Sequence, residues 1–306
     1  MVKRTVILGI SLMAAAGCAA QDLRLDIWPV GEVAHRIPSG ETEVREQGDI
    51  LRISKVQVPD MEVYLPEGDA KGRQAVLILP GGGYQILAYD WEGSAYGRLL
   101  SGQGLVAVVL KYRLPSASSQ SQPGQVPLSD AQRALRLIRS NALDWGVDPD
   151  RIGVMGFSAG GHLAASLSTR YGERVYNPVD QLDSLSARPD FSILVYPVIS
   201  FREEVGHSGS RRALLGENPS EALISKYSAD EQVGPGTPPA FLLHAADDQA
   251  VPVANSLRYY QALLDHKIPA SMHLYPEGGH GFSLAADRPY LAGWTGQLLS
   301  WLEQLD

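Results

Sequence analysis

The sequence predicts an α/β fold: one large domain with a mostly parallel central sheet and helices on both faces. Three observations predict it. From about residue 50 to the end, short apolar runs of strand character alternate with helical stretches, and parallel strands need crossovers that are usually helices. Several of the runs are apolar without alternation, the pattern of strands covered on both faces. The third is Gly156-Phe157-Ser158-Ala159-Gly160, set between a strand-like run and an Ala/Leu-rich stretch. That is the strand, sharp turn, helix context of a nucleophile elbow, with Ser158 at the tip.

Composition narrows the class of molecule. A chain of 306 residues can enclose a substantial core. Its formal net charge of −8, with no dense Lys/Arg cluster, argues against nucleic acid or an anionic membrane as partner. Cys18 is the single cysteine, which excludes an internal disulfide framework and any multi-cysteine metal site.

Residues 1–20 carry Lys3 and Arg4, an apolar stretch from Val6 to Ala16, then small residues, the order of a secretory signal too short to span a bilayer comfortably. Ala15-Ala16-Gly17-Cys18 resembles a bacterial lipobox, with Ala15 where Leu is more usual. An exported protein anchored by lipid at Cys18 is expected; cleavage after Ala20 would leave it soluble.

Residues 21–48 are polar, broken by Pro29, Gly31, Pro38 and Gly40, and read as an extended lead segment ahead of a domain spanning 49–306. Residues 51–58 and 61–65 read as two strands joined by a tight turn, with the alternation slipping at Lys55. Residues 75–79 form a buried strand that runs into Pro80-Gly81-Gly82-Gly83-Tyr84. Residues 92–103 read as a helix and 105–112 as the next buried strand. The Ser-, Gln- and Pro-rich stretch 113–127 reads as a surface loop. Residues 129–142 form an amphipathic helix whose Arg133, Arg136 and Arg139 read as a solvated face. After the elbow come a strand at 191–196 and an irregular stretch with short helical patterns near 211–215 and 219–227. Then follow a strand at 240–245, a helix at 253–265, a strand at 271–275 and a closing helix at 290–304. Residues 200–239 are the expected small cap insertion over the site.

A serine hydroxyl is a poor nucleophile at neutral pH, so Ser158 needs a base and the base needs an orienting group. On a strand–turn–helix scaffold the order is serine, acid, histidine. His244-Ala245-Ala246-Asp247-Asp248 puts two carboxylates just past a strand, and Gly278-Gly279-His280-Gly281-Phe282 puts a histidine in a loop after the last one. Either aspartate fits on position alone. Among the other histidines, His35, His207 and His266 read as surface residues, His244 and His273 as strand positions, and His162 as a structural residue behind the nucleophile. Backbone N–H groups of Gly82, Gly83 and Ala159 are the candidate donors for a tetrahedral oxyanion. No Lys follows the glycines at P-loop spacing, and the histidines show no metal-ligand pairing. No cofactor and no metal are expected.

Taken together, these stretches resemble an α/β-hydrolase of the esterase branch, close to bacterial carbohydrate acetylesterases and feruloyl-esterase-like proteins. The resemblance runs over most of the chain after residue 50. It rests on Pro80 to Tyr84, Tyr112-Arg113-Leu114, the run from Asp130 to Arg139, the run from Gly156 to His162, His244 to Asp248 with Val251-Pro252 and Asn255-Ser256, and Gly278 to Phe282. Asp248-Gln249-Ala250-Val251-Pro252 is similar to the stretch carrying the triad acid in such relatives, which favours Asp248 and leaves Asp247 to bond its own loop. Pro80 stands where hormone-sensitive-lipase-like relatives have His. The resemblance implies ester hydrolysis by Ser158, His280 and Asp248, with acetylated xylan or related carbohydrate as substrate. Tyr84 and Trp91 are the candidates to line the sugar side. A feruloyl esterase and a dipeptidyl-peptidase-like hydrolase are the alternatives within the class, although such peptidases carry a large preceding domain for which the lead segment is too short. A non-catalytic carbohydrate-binding member of the fold is the alternative outside it.

Overall fold

Apolar runs that do not alternate can be strands only where both faces are covered, and the central sheet is built that way in the computed structural model, which describes residues 23–305. The expected signal and Cys18 lie outside the described residues. The strands in chain order are β1 (Leu23–Asp26), β2 (Val44–Gln47), β3 (Leu51–Ser54), β4 (Asp60–Tyr64), β5 (Arg73–Leu79) and β6 (Leu87–Ala88). Next come α1 (Ala95–Gly102), β7 (Val106–Lys111), α2 (Val126–Ser140), β8 (Val147–Phe157), α3 (Ser158–Arg170) and β9 (Ser192–Val195). The last part holds α4 (Ser208–Leu215), α5 (Glu221–Lys226), β10 (Ala240–Ala245), α6 (Ala254–Asp265), β11 (Ala270–Tyr275), α7 (Pro289–Ala292) and α8 (Trp294–Leu302). Among the described residues, eight strands form the main sheet in the order β1-β4-β7-β5-β8-β9-β10-β11. The pairs from β7 to β11 are parallel, and β1–β4 and β4–β7 are antiparallel.

Sheet order decides where chemistry can gather. β5, β8, β10 and β11 run in one direction, so their carboxyl ends share one rim, where ligand sites of open α/β sheets form. The loop after β5 carries the glycines, the end of β8 carries Ser158, and the loops after β10 and β11 carry Asp248 and His280.

Several expectations need correction. The lead segment supplies β1 to the edge of the main sheet and β2 to a second, three-stranded sheet with β3 and β6. The two strands around Lys55 are present but do not pair: β3 joins the small sheet and β4 the large one. The slip in alternation marks the change of sheet, with Lys55 at φ 52° turning the chain away. The helix expected over 92–103 begins as a π-helical turn, Asp90–Ser94. The closing helix is interrupted at Gly293.

The largest correction concerns residues 113–142. Arg113, Leu114, Ser119 and Gln120 are buried, so this is no solvated loop. Arg113 is held against Asp130 on α2, its Nη2 donating to Oδ1 at 2.6 Å and its Nε to Oδ2 at 3.0 Å. Trp28 Nε1 and the Arg113 backbone N–H complete the carboxylate's partners. Nor do the arginines of α2 form a wet face. Arg133 donates to the Ile27 carbonyl and to Asp180 and Asp183, Arg136 to the Leu185 carbonyl, and Arg139 to Asp190. The lead segment and residues 176–190 pack over the helix, and guanidinium groups satisfy the carbonyls and carboxylates that this covering buries.

Asp130 is fully buried and Arg113 nearly so, and stranding one member of such a pair is far costlier than replacing both. Asp130→Ala is therefore expected to lower the unfolding free energy by about 3–5 kcal/mol, measured by urea denaturation. A loss below about 1 kcal/mol would mean that the pair is solvated and the covering loop loose.

Candidate active site

Ser158 is presented by strain. Its φ of 51° is a left-handed value that a residue with a side chain adopts only under constraint. The constraint is backbone crowding: a Cβ on Gly160 would lie 2.1 Å from the Leu79 carbonyl oxygen, and one on Gly156 would lie 2.2 Å from that of Gly160. Neither glycine tolerates a side chain, so the end of β8, the start of α3 and the end of β5 meet backbone to backbone.

His280 bridges the nucleophile and the acid. Its Nδ1 lies 2.6 Å from Asp248 Oδ2 and its Nε2 lies 2.8 Å from Ser158 Oγ. An ionised carboxylate only accepts, so Nδ1–H donates to Asp248 and Nε2 is left to accept from the serine hydroxyl. This is the tautomer a general base requires. Gly279 and Gly281, at φ 64° and 73°, let the loop reverse on both sides of the imidazole.

Asp248 is buried. Burial pulls its carboxyl upward, but hydrogen bonds from His244, His280 and the Val251 N–H, with the charge of His280, overcome this and hold it well below the ordinary carboxylate range. Oδ1 accepts from the Ala250 and Val251 N–H groups, each at 2.9 Å. Asp247, expected to bond its own loop, instead reaches across: its Oδ1 accepts from the N–H groups of Gly278 at 2.9 Å and Gly279 at 2.8 Å. The adjacent carboxylates thus divide the work, one orienting the imidazole and the other tying down the loop that carries it.

The glycine loop follows β5 beside the serine. Gly81 N–H donates to Glu92 Oε2 at 2.9 Å, and the Gly82 carbonyl accepts from Gln85 and Ile86. The N–H groups of Gly82 and Gly83 take no acceptor among the described residues. Ala159, in the first turn of α3, has an N–H that the helix cannot satisfy internally. These are the three donors expected for an oxyanion.

Of the sugar-side candidates, Trp91 is 42% exposed and anchored by its Nε1–H to the Gly281 carbonyl at 2.9 Å, beside His280. Tyr84 is not there. It is buried, and its hydroxyl lies 2.8 Å from His162 Nδ1. Gly82 and Gly83, at φ 129° and 66°, and Tyr84 itself at φ 60° turn the ring inward, where it packs edge-on against His162.

Two histidines of the site were not legible as such. His244 is buried, with Nε2 at 3.2 Å from Asp248 Oδ2 and 3.0 Å from the Val251 carbonyl, and Nδ1 at 2.8 Å from Ser256 Oγ. Two acceptors at Nε2 make it the protonated nitrogen, so His244 is a fixed second donor to the acid. The spacing of His244 and Asp248 across the end of β10 was the available signal. His207, read as a surface residue, caps α4, with Nδ1 accepting from the Ser210 N–H. Its Cε1 lies 3.9 Å from where a Cβ on Gly83 would stand, so it borders the glycine loop from residues 200–239; burial and the charge of His280 push it down while Asp248 pulls the other way. Nothing in the polar stretch around it signalled this. The remaining histidines are structural: His35 lies 2.6 Å from the Val175 carbonyl, His273 stacks on Phe241, and His266 ends α6. Among the described residues no group of His, Cys, Asp or Glu side chains is placed to hold a metal ion, and no helix is long and apolar enough to cross a membrane.

A serine on a strained strand–helix turn, with its base, its acid and unpaired amides on one rim of a parallel sheet, defines an α/β-hydrolase with a serine nucleophile. The chain belongs to the BD-FAE family, whose model matches residues 61–263. It is 37% identical to endo-1,4-beta-xylanase B of Butyrivibrio fibrisolvens, covering 78% of this chain and 37% of that protein. It is 35% identical to an acetylxylan esterase of Xylanibacter ruminicola, covering 83% and 50%. The chain thus spans half or less of the length of these curated relatives. Among solved structures, an acetyl ester-xyloside bifunctional hydrolase from Caldicellulosiruptor lactoaceticus superposes with a TM-score of 0.79 at 35% identity, over 94% of this chain and 98% of that one. A carboxylesterase from Lactobacillus plantarum gives 0.69 at 25% identity, over 86% and 98%.

His162 provides a pH test of the packing under the elbow. Fully buried, with Nε2 donating to the Tyr227 carbonyl at 2.8 Å, it is pushed down by burial from 6.5 to about 4. Between those values the unfolded chain binds the proton and the folded one does not. Stability is therefore full above pH 6.5 and declines as pH falls, by about 3 kcal/mol at pH 4. In His162→Gln, whose amide can still donate and accept, this part of the slope is expected to vanish in urea titrations from pH 4.5 to 7. An unchanged slope would show that the imidazole titrates alike in the folded and the unfolded chain.

Proposed function

We propose that the protein is a serine carboxylester hydrolase that removes acetyl groups from xylan or related plant cell-wall oligosaccharides through an acyl-enzyme. The observation that carries this reading is the continuous Ser158–His280–Asp248 chain beside the unpaired N–H groups of Gly82 and Gly83. Ser158 Oγ attacks the acyl carbon as its proton passes to His280 Nε2, and Asp248 stabilises the imidazolium. The carbonyl oxygen, now carrying the charge, meets the N–H groups of Gly82, Gly83 and Ala159. The tetrahedral species collapses, the alcohol leaves with the proton from Nε2, and water activated by the same nitrogen releases the acid.

The acetyl–xylan assignment draws on the printed names of the acetylxylan esterase relative and of the acetyl ester-xyloside hydrolase. Trp91 beside the histidine loop and Gln85 and His207 beside Gly83 offer an aromatic face with amide and imidazole groups of the kind sugars contact. An acidic chain is suited to neutral glycan rather than polyanions. Export, with an anchor at Cys18, fits a substrate too large to enter a cell. Incubation with labelled palmitate should label the parent and leave Cys18→Ala unlabelled; equal labelling would remove the anchor.

Purified protein is expected to release acetate from acetylated xylan, and Ser158→Ala to lose at least about 10⁴-fold in kcat. Equal release by both proteins would end the serine mechanism. In a panel of acetyl, butyryl and feruloyl esters, kcat/KM should be highest for acetyl; a feruloyl optimum would reassign the acyl group and leave the mechanism standing.

A further inference from the structure

The reaction as written makes no use of Glu92, yet a buried carboxylate needs a reason. Glu92 is carried by the π-helical turn Asp90–Ser94 and is fully enclosed. Its Oε2 accepts from Gly81 N–H at 2.9 Å and its Oε1 from the Tyr196 hydroxyl at 2.8 Å. Both oxygens accept, which is the bonding pattern of the ionised form. The carboxylate lies so close beneath the loop that a Cβ on Gly81 would come within 2.6 Å of Oε2.

The same turn reaches the histidine loop. Trp91 Nε1–H donates to the Gly281 carbonyl at 2.9 Å, and Ser283 Oγ donates to the Trp91 carbonyl at 2.7 Å. Ser283 N–H donates to the Tyr196 hydroxyl at 3.2 Å, and the Tyr196 ring packs edge-on against His280 at 5.2 Å. Glu92 therefore ties residues 80–84 to residues 278–283, the two loops whose relative placement decides whether base and oxyanion donors meet one carbonyl group.

We propose that Glu92 is a positioning residue for the esterase reaction: it orients the Gly81–Gly83 amides and, through Tyr196, the imidazole of His280. This rests on the hydrolase reading of the same site. Burial pushes Glu92 up, and the hydrogen bonds from Tyr196 and Gly81 and the charge of His280 draw it back.

Glu92→Gln keeps the shape, retains one acceptor and removes the charge. With p-nitrophenyl acetate, kcat is expected to fall roughly tenfold with little change in KM, since misplaced oxyanion donors act on the transition state. The unfolding midpoint should hold because a neutral amide is cheaper to bury. Tyr196→Phe removes only the hydroxyl and keeps the ring against His280; it should lower kcat as well, and the double variant should add nothing beyond Glu92→Gln. The NMR signal of the His280 Nδ1 proton, shared with Asp248 at 2.6 Å, reads the placement of the imidazole without any ester, so it separates this proposal from the hydrolase reading: it should shift in Glu92→Gln. Parental kcat and an unmoved His280 Nδ1 proton signal in Glu92→Gln would overturn the proposal. If that variant does not fold, parental kcat in Tyr196→Phe would overturn it; if it folds, losses that multiply in the double variant would do the same.

Discussion

Everything at the rim depends on how closely three pieces of backbone approach. β5 and β8 are adjacent parallel strands, and α3 leaves β8 so abruptly that Gly160 lies against the Leu79 carbonyl and Gly156 against Gly160 itself. Side chains at these positions would push the helix from the sheet by more than packing could recover. The approach holds Ser158 at φ 51°, lifts its hydroxyl above the rim, and brings the glycine loop alongside. The strain at one residue is held by the burial of the whole sheet around it, which is where a strained functional residue can persist.

The histidine loop is less crowded and is held by polar bonds instead. A Cβ on Gly279 or Gly281 would meet nothing within 4 Å, yet Asp247 clamps two of the loop's N–H groups, Trp91 holds the Gly281 carbonyl, and Arg288 donates to that of Gly278. Asp248 is fixed more firmly still, with His244 and two backbone N–H groups occupying the lone pairs that His280 leaves. Orientation of the imidazole is thus built into the ground state, and little has to be reorganised as charge develops during the reaction.

The parts of this arrangement that were legible in the sequence are those with local causes. Apolar runs mark β5, β7 and β10 because burial on both faces requires them, and the glycines at 156 and 160 mark the elbow because only they fit it. The histidine and the pair of candidate acids were placed by strand–loop order, and the choice of Asp248 over Asp247 rested on the resemblance of residues 248–252 to the acid-bearing stretch of relatives. What the sequence hid was set by long-range partners. Arg133 at helical spacing looks like a wet face until residues 176–190 cover it. Tyr84, next to a glycine loop, looks like a platform until three positive φ values turn it toward His162. Asp247 gives no local hint that its acceptor serves a loop more than thirty residues away. Glu92 read as the first residue of a helix; its role becomes visible only when Gly81 and Tyr196 converge on it.

The segment 200–239 illustrates the same division between local signal and tertiary cause. Its short helices and polar composition suggest a lid that swings over substrate. Its attachments argue otherwise: Asn255 on α6 accepts from the Ile199 and Ser200 N–H groups at 2.9 and 3.0 Å and donates to the Val205 carbonyl at 2.8 Å. Ser228 Oγ accepts from Phe201 N–H, and the Tyr227 carbonyl is taken by His162. These bonds are buried, and opening the segment would expose or strand each of them. The two ends of the segment are therefore held against α6 and α3, and the wall it forms stands beside the glycine loop, where His207 Cε1 lies 3.9 Å from the position a Cβ on Gly83 would take.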